Sequence, residues 1–186
     1  ILVIDDNPSI HQDFKKILSP ADAQLAADLD ADEAALFGDT ANPAQSWTFE
    51  IGSAFQGEEG LEKVRASAAA GEPYAVAFVD VRMPPGWDGI ETIARIWKEF
   101  PDLQVVVCTA YSDYSWDEIS KIIGNTDQML VLKKPFDNVE VLQMAHALAR
   151  KWELTQIARR QMEDLEEMVN ERTAELRAAN DALTSE

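Results

Sequence analysis

The stretch Val76-Ala77-Phe78-Val79-Asp80-Val81-Arg82-Met83-Pro84 constrains the chain more than any other. Ala75 to Val79 are apolar without alternation, the pattern of a strand covered on both faces. The run stops on Asp80, and Met83, Pro84, Pro85 and Gly86 then break the chain into a loop. A carboxylate at the carboxyl end of a central parallel strand stands where open α/β sheets bind ligands. An isolated Asp there would read first as a cap or turn residue. Asp80 is not isolated, because other strand ends converge on it.

Taken in order, Ile1 to Ile4 form a buried strand that ends on Asp5-Asp6. Asn7-Pro8 starts a helix, Asn7 as cap and Pro8 in the first turn, with Ile10, Phe14, Ile17 and Leu18 on its apolar face. Residues 19–46 read as an acidic surface insertion, part helix and part loop, with Leu25, Leu29, Leu36 and Phe37 on a short amphipathic stretch. Trp47 to Ala54 alternates as a second strand, and Gly57 to Ala70 is a helix with Leu61 and Val64 inward, ended by Gly71. After the Asp80 strand, Ile90, Ile93, Trp97 and Phe100 form a helical stripe closed by Pro101. Leu103 to Cys108 is a buried strand ending at Thr109-Ala110. Trp116, Ile119, Ile122 and Ile123 mark a further helix. Met129 to Leu132 is the last strand, followed by Lys133-Lys134-Pro135.

Five strands alternating with helices predict an α/β fold, a doubly wound parallel sheet. The polar ends Asp5-Asp6, Asp80, Thr109 and Lys133-Lys134 then lie along one sheet edge. Crowded carboxylates repel one another, and a divalent cation compensates them most simply; hard oxygen ligands favour magnesium. Carboxylates, magnesium, a hydroxyl and a lysine are what is needed to hold a phosphoryl group, and a carboxylate can itself be the nucleophile.

At these residues the chain resembles the receiver domain of two-component response regulators, over residues 1 to about 149. The motifs are Asp5-Asp6, Asp80 within Phe78-Val79-Asp80-Val81-Arg82-Met83-Pro84, Thr109-Ala110 and Lys134-Pro135-Phe136. The resemblance implies a flavodoxin-like receiver in which Asp80 accepts a phosphoryl group from a histidine kinase or phosphotransfer protein. It implies Mg2+ held by Asp6, Asp80 and the backbone carbonyl of Arg82, with Asp5 acting mainly through water. Thr109 would hydrogen-bond the phosphoryl oxygen and Lys134 would pair with it, while Lys133 is ordinary surface charge. Activity would be limited to the domain's own phosphorylation and dephosphorylation. The loop Met83 to Gly89 is one residue longer than the family's usual form, and Val131 stands where an aromatic switch residue often sits, with Tyr111 or Tyr114 as possible substitutes.

Asp137 and Glu140 have capping-box spacing, so the last helix starts at Asn138. Val139, Leu142, Ala145, Leu148, Ala149 and Trp152 face the sheet, and neither Gly nor Pro interrupts the helix thereafter. From Ala158, a heptad runs through Met162, Leu165, Val169, Arg172, Leu176, Ala179 and Leu183. Residues 150–186 are therefore expected to form a dimeric coiled coil. The run Glu171 to Asn180 resembles the signalling helices that precede diguanylate cyclase, phosphodiesterase or histidine kinase outputs, here a missing output domain. The start inside a strand and the end inside a helix suggest a piece of a longer protein.

The net charge of −18 argues against nucleic acid as a partner of these residues. No apolar run is long enough to span a membrane, and Cys108 in an apolar run reads as a buried inert thiol in a cytoplasmic protein. Two rivals remain at the level of sequence. One is an adaptor that dimerises without phosphorylation. The other is an aspartyl-nucleophile phosphatase, which wants a second Asp two residues after the first where this chain has Arg82.

Overall fold

A computed structural model describes residues 1–18, 49–110 and 127–184, with side chains in the last helix as far as residue 174. The expected insertion at 19–46, the helix around Trp116 to Ile123, and Tyr111 and Tyr114 lie outside the described residues. So do the side chains of Leu176, Ala179 and Leu183.

The described strands are β1 (Leu2–Ile4), β2 (Gly52–Ala54), β3 (Val76–Asp80), β4 (Gln104–Thr109) and β5 (Met129–Lys133). The described helices are α1 (Pro8–Ile17), α2 (Gly57–Ala69), α3 (Gly89–Glu99) and α4 (Asn138–Thr184). All strand pairs are parallel, in the order β2-β1-β3-β4-β5. The strand order reverses between β1 and β3, which makes their carboxyl ends the switch point of the sheet.

The unalternating apolar run of β3 is explained by two cores. Ala77 and Val79 pack with Leu61, Val64, Ile90 and Ile93 under α2 and α3. Val76 and Phe78 pack with Phe14, Ile17, Val141 and Ala145 under α1 and α4. Successive strand residues point to opposite faces, so both parities must be apolar. The sheet is doubly wound, as expected.

Several caps match their sequence signals. The Asn7 side chain accepts a hydrogen bond from the Ser9 amide at 3.0 Å. Asp88 caps α3 by accepting from the Glu91 amide at 2.8 Å. Asp137 accepts from the Val139 amide at 2.8 Å, and Glu140 reaches back to the Asp137 amide at 3.4 Å. Gly71, just beyond α2, has φ +79°, a conformation that other residues rarely adopt. Gly89 has a different reason to be glycine: a Cβ there would lie 2.1 Å from the Asp80 carbonyl oxygen.

Four expectations need correction. The strand expected over Trp47 to Ala54 is shorter among the described residues, where β2 starts at Gly52, because β1 offers it only Leu2 to Ile4 as pairing partners. Phe49 and Ile51 instead pack half-buried against the α1/α4 core. In α1 the buried face is His11, Phe14 and Ile17, with Ile10 only half-buried. In α3 the stripe includes Ile96, while Trp97 and Phe100 are half-buried at its margin. In α4, Val141 is fully buried and Val139 is 57% exposed, because the face that meets the sheet continues as Ala145, Leu148 and Ala149.

α4 is 47 residues long, or about 70 Å at 1.5 Å per residue. Beyond Ala149 it is held by polar contacts. The Arg159 guanidinium grips the Asp102 carboxylate, with Nη2 to Oδ1 at 3.0 Å, and Gln156 donates to the same carboxylate at 3.3 Å. Lys151 pairs with Asp127 at 2.7 Å. Farther on, Met162, Leu165, Met168 and Val169 are each more than half exposed.

Candidate phosphoacceptor site

The carboxyl ends of β1, β3, β4 and β5 bring the expected residues to one edge. Asp5 follows β1 and is 2% exposed, Asp6 beside it is exposed, and Asp80 ends β3. Carboxylate oxygens of Asp5, Asp6 and Asp80 all lie within 4.8 Å of one another. Lys134, directly after β5, places its ammonium 2.7 Å from Asp5 Oδ2 and 2.7 Å from Asp80 Oδ1. Thr109, the last residue of β4, is buried, and its hydroxyl donates to the Ala110 carbonyl at 3.0 Å.

Backbone contacts hold this arrangement. The Asp5 amide donates to the Ala54 carbonyl at 3.1 Å, and Asp5 Oδ1 accepts from the Asn7 amide at 2.9 Å. The Lys134 amide donates to the Thr109 carbonyl at 2.8 Å, which ties the lysine to β4. Phe136 packs on Phe14 with ring centroids 5.4 Å apart, and Phe14 packs on Phe78 at 4.7 Å. The loop that carries Lys134 is thereby fastened to the core beneath β3. Fully burying an aromatic such as Phe14 or Phe78 contributes about 1.5–3 kcal/mol.

The electrostatics are unbalanced. Burial raises the Asp80 carboxyl above its ordinary 3.8, and the neighbouring Asp5 and Asp6 charges push the same way, against the Lys134 ammonium. Burial works against the Lys134 charge too, but its bonds to Asp5 and Asp80 outweigh this and raise its pKa. The two directions agree physically, because one ammonium does not neutralise three carboxylates. The donor set therefore fits a hard divalent cation. Three carboxylate oxygens already converge, and their excess negative charge is what such an ion would offset.

Arg82 is exposed in the loop after Asp80, above the buried Met83. An open cleft of roughly 400 Å³ is lined by Val81 to Gly86 and Asp88, in the loop that follows Asp80. Lys133 is exposed while Lys134 reaches the carboxylates, as the sequence reading distinguished them. Val131 is half-buried at the margin of the α2/α3 core. Cys108 is buried and burial pushes its thiol up, which matches an inert role.

His11, Asn7 and Gly89 were missed by the sequence reading. Asn7 was read only as a cap, although its backbone amide also binds the Asp5 carboxylate. His11 had a signal: it precedes Phe14 by three and Leu18 by seven, on the helix face that is buried.

Residues 30–146 match the response regulator receiver domain family, and the chain belongs to that family. The match does not include β1, so it is the sheet that brings Asp5 and Asp6 to the matched Asp80 and Lys134. A receiver of this family is a phosphoacceptor, with chemistry confined to its own phosphorylation and dephosphorylation.

Solved structures share the fold. The receiver domain of NtrX from Brucella abortus is 20% identical with a TM-score of 0.54, covering 80% of this chain and 97% of that one. The receiver domain of AraT from Geobacillus stearothermophilus is 20% identical with a TM-score of 0.58, covering 83% and 95%. A CheY-like receiver protein from Methanospirillum hungatei is 21% identical with a TM-score of 0.56, covering 83% and 96%. No curated protein sequence matches the chain. Among the described residues, no helix is long and apolar enough to cross a membrane.

Proposed function

We propose that residues 1–149 form a receiver domain phosphorylated on Asp80, and that α4 carries its state toward a C-terminal output. The observation that supports this most is the Lys134 ammonium bridging Asp5 and Asp80 beside the Asp6 carboxylate. In this reading a histidine kinase or phosphotransfer protein presents a phosphohistidine to the cleft beside Asp80. An Asp80 carboxylate oxygen attacks phosphorus, the P–N bond breaks, and the imidazole leaves with the bonding pair and takes up a proton.

Lys134 exchanges its bond to Asp80 Oδ1 for one to a phosphoryl oxygen. Thr109 turns its hydroxyl from the Ala110 carbonyl toward the same group, which reports the phosphorylated state. Asp6, Asp80 and the Arg82 carbonyl would hold Mg2+, with Asp5 acting mainly through water, and the ion would there neutralise charge on the phosphoryl oxygens.

The tail from residue 150 forms a parallel homodimeric coiled coil, its seam supplied by the exposed Met162, Leu165 and Val169. The protein works in the cytoplasm, and the output beyond the tail is a diguanylate cyclase, phosphodiesterase or kinase. Fluorine NMR with beryllofluoride and Mg2+ tests the site. A bound fluoride signal is expected in the wild type and should vanish in Asp80→Asn. A signal that persists in Asp80→Asn places the acceptor elsewhere.

A further inference from the structure

His11 is 4% exposed, and nothing in the proposed phosphoryl chemistry uses it. Its Nε2 lies 2.7 Å from the backbone carbonyl oxygen of Asp5. A carbonyl oxygen only accepts, so Nε2 must carry the hydrogen. The ring packs on Phe55, with centroids 4.5 Å apart at 53°, and Nδ1 is buried with no hydrogen-bond partner among the described residues. Among the described residues the ring makes one hydrogen bond, and it goes to the peptide that joins two of the three converging carboxylate residues.

The remaining polar groups of Asp5 are tied elsewhere: its amide to Ala54 at the end of β2, Oδ1 to the Asn7 amide, and Oδ2 to Lys134. The carbonyl tie comes from α1. Because the Asp5–Asp6 peptide is planar, holding its carbonyl also fixes where the Asp6 amide and Cα sit. Asp6 is exposed, so the aim of its carboxylate depends on that backbone anchor.

We infer that His11 is a positioning residue of the carboxylate site, its Nε2–H holding the Asp5–Asp6 peptide so that the Asp6 carboxylate meets those of Asp5 and Asp80. The inference rests on the reading that these carboxylates hold a divalent cation. Groups that orient metal ligands from behind typically change metal affinity about 10–100-fold when lost. Phe55 gives a matched control, because it touches the same ring without bonding to Asp5.

The test is calorimetric titration of the 186-residue chain with Mg2+, alongside thermal melts in chelator. His11→Phe keeps a ring but removes the donor, and about tenfold weaker binding is expected. His11→Gln returns an amide donor near the Nε2 position and should recover most of that affinity. Phe55→Leu should lower the melting temperature while leaving the Mg2+ affinity as in the wild type. A folded His11→Phe that binds Mg2+ like the wild type overturns the inference, as does a His11→Gln as weak as His11→Phe.

Long-range 1H–15N NMR of the wild type supplies a readout that needs no variant. Nε2 should be protonated, and its resonance should move when Mg2+ is added. An unprotonated Nε2, or one indifferent to Mg2+, overturns the inference even if His11→Phe does not fold. If the wild type binds no Mg2+, the metal site itself is refuted and the inference falls with it. If the wild type binds and only the His11 comparisons fail, the inference alone falls.

Discussion

At the sheet edge a single ammonium, Lys134, faces three carboxylates, and this imbalance shapes what the apo site does with pH. The folded Asp80 carboxyl holds its proton more tightly than an ordinary carboxyl at 3.8, mainly through burial. A raised carboxyl means that the folded state binds more protons than the unfolded state over the interval between the two values. The contribution of Asp80 to stability is therefore present at low pH and lost as pH rises through its folded pKa. In chelator, the melting temperature of the wild type relative to Asp80→Asn should fall as pH is raised from about 3.8 toward neutrality. Mg2+ should flatten that difference by favouring the ionised form. Parallel pH profiles for the two proteins would contradict the description of Asp80. The site was largely legible in the sequence because each of Asp5, Asp80, Thr109 and Lys134 stands at or just past the end of an apolar run. For His11 the helical spacing marks only burial; its bond was not legible, because its partner is a backbone carbonyl, and backbone partners leave no residue-type signature.

At the scale of elements, α4 runs on unbroken from its buried face and is latched by side chains to the turn after α3. Asp102 takes Arg159 and Gln156, while Asp127 takes Lys151, and Trp152 lies between two cavities of about 460 and 230 Å³. These polar contacts are expected to steady the stretch of α4 that borders the two cavities. Arg159 is about half exposed, so Arg159→Ala should cost under about 1 kcal/mol of global stability. Amide exchange should nevertheless rise selectively around residues 152–165, and Asp102→Ala should produce the same pattern without adding to it. Unchanged exchange there would show that the latch does not hold the helix. The sequence announced α4 through its capping box and the absence of Gly and Pro. It did not announce the latch, since Asp102 and Arg159 lie 57 residues apart and only the fold makes them neighbours. The length of β2 was misread for a related reason: alternation marks which residues could be a strand, but the pairing partner decides how many are.

At the scale of the whole molecule, an apolar stripe and a large negative charge oppose each other. Each chain carries a net charge of −18, and the exposed apolar residues Met162, Leu165 and Val169, the seam of the proposed coiled coil, lie on a helix rich in Glu and Asp. Two tails that pair through that seam also bring like charges together. The dimer should therefore tighten as salt is raised, because the Debye length shrinks from about 30 Å at 0.01 M to about 8 Å at 0.15 M. Sedimentation across that range should show the dimer fraction rising with salt in the wild type. Leu165→Asp should remain monomeric throughout. A wild-type chain that stays monomeric at every salt and protein concentration would remove the coiled coil from the account.

The most direct test of the central claim is intact-mass analysis of the chain after treatment with acetyl phosphate. The wild type should gain the mass of one phosphoryl group when Mg2+ is present and not when it is chelated, with the adduct mapping to the peptide that contains Asp80. Asp80→Asn should gain none, and Lys134→Ala should be labelled without passing a change to the tail. Equal labelling of wild type and Asp80→Asn, or labelling indifferent to Mg2+, would contradict the assignment of Asp80 as the phosphoacceptor.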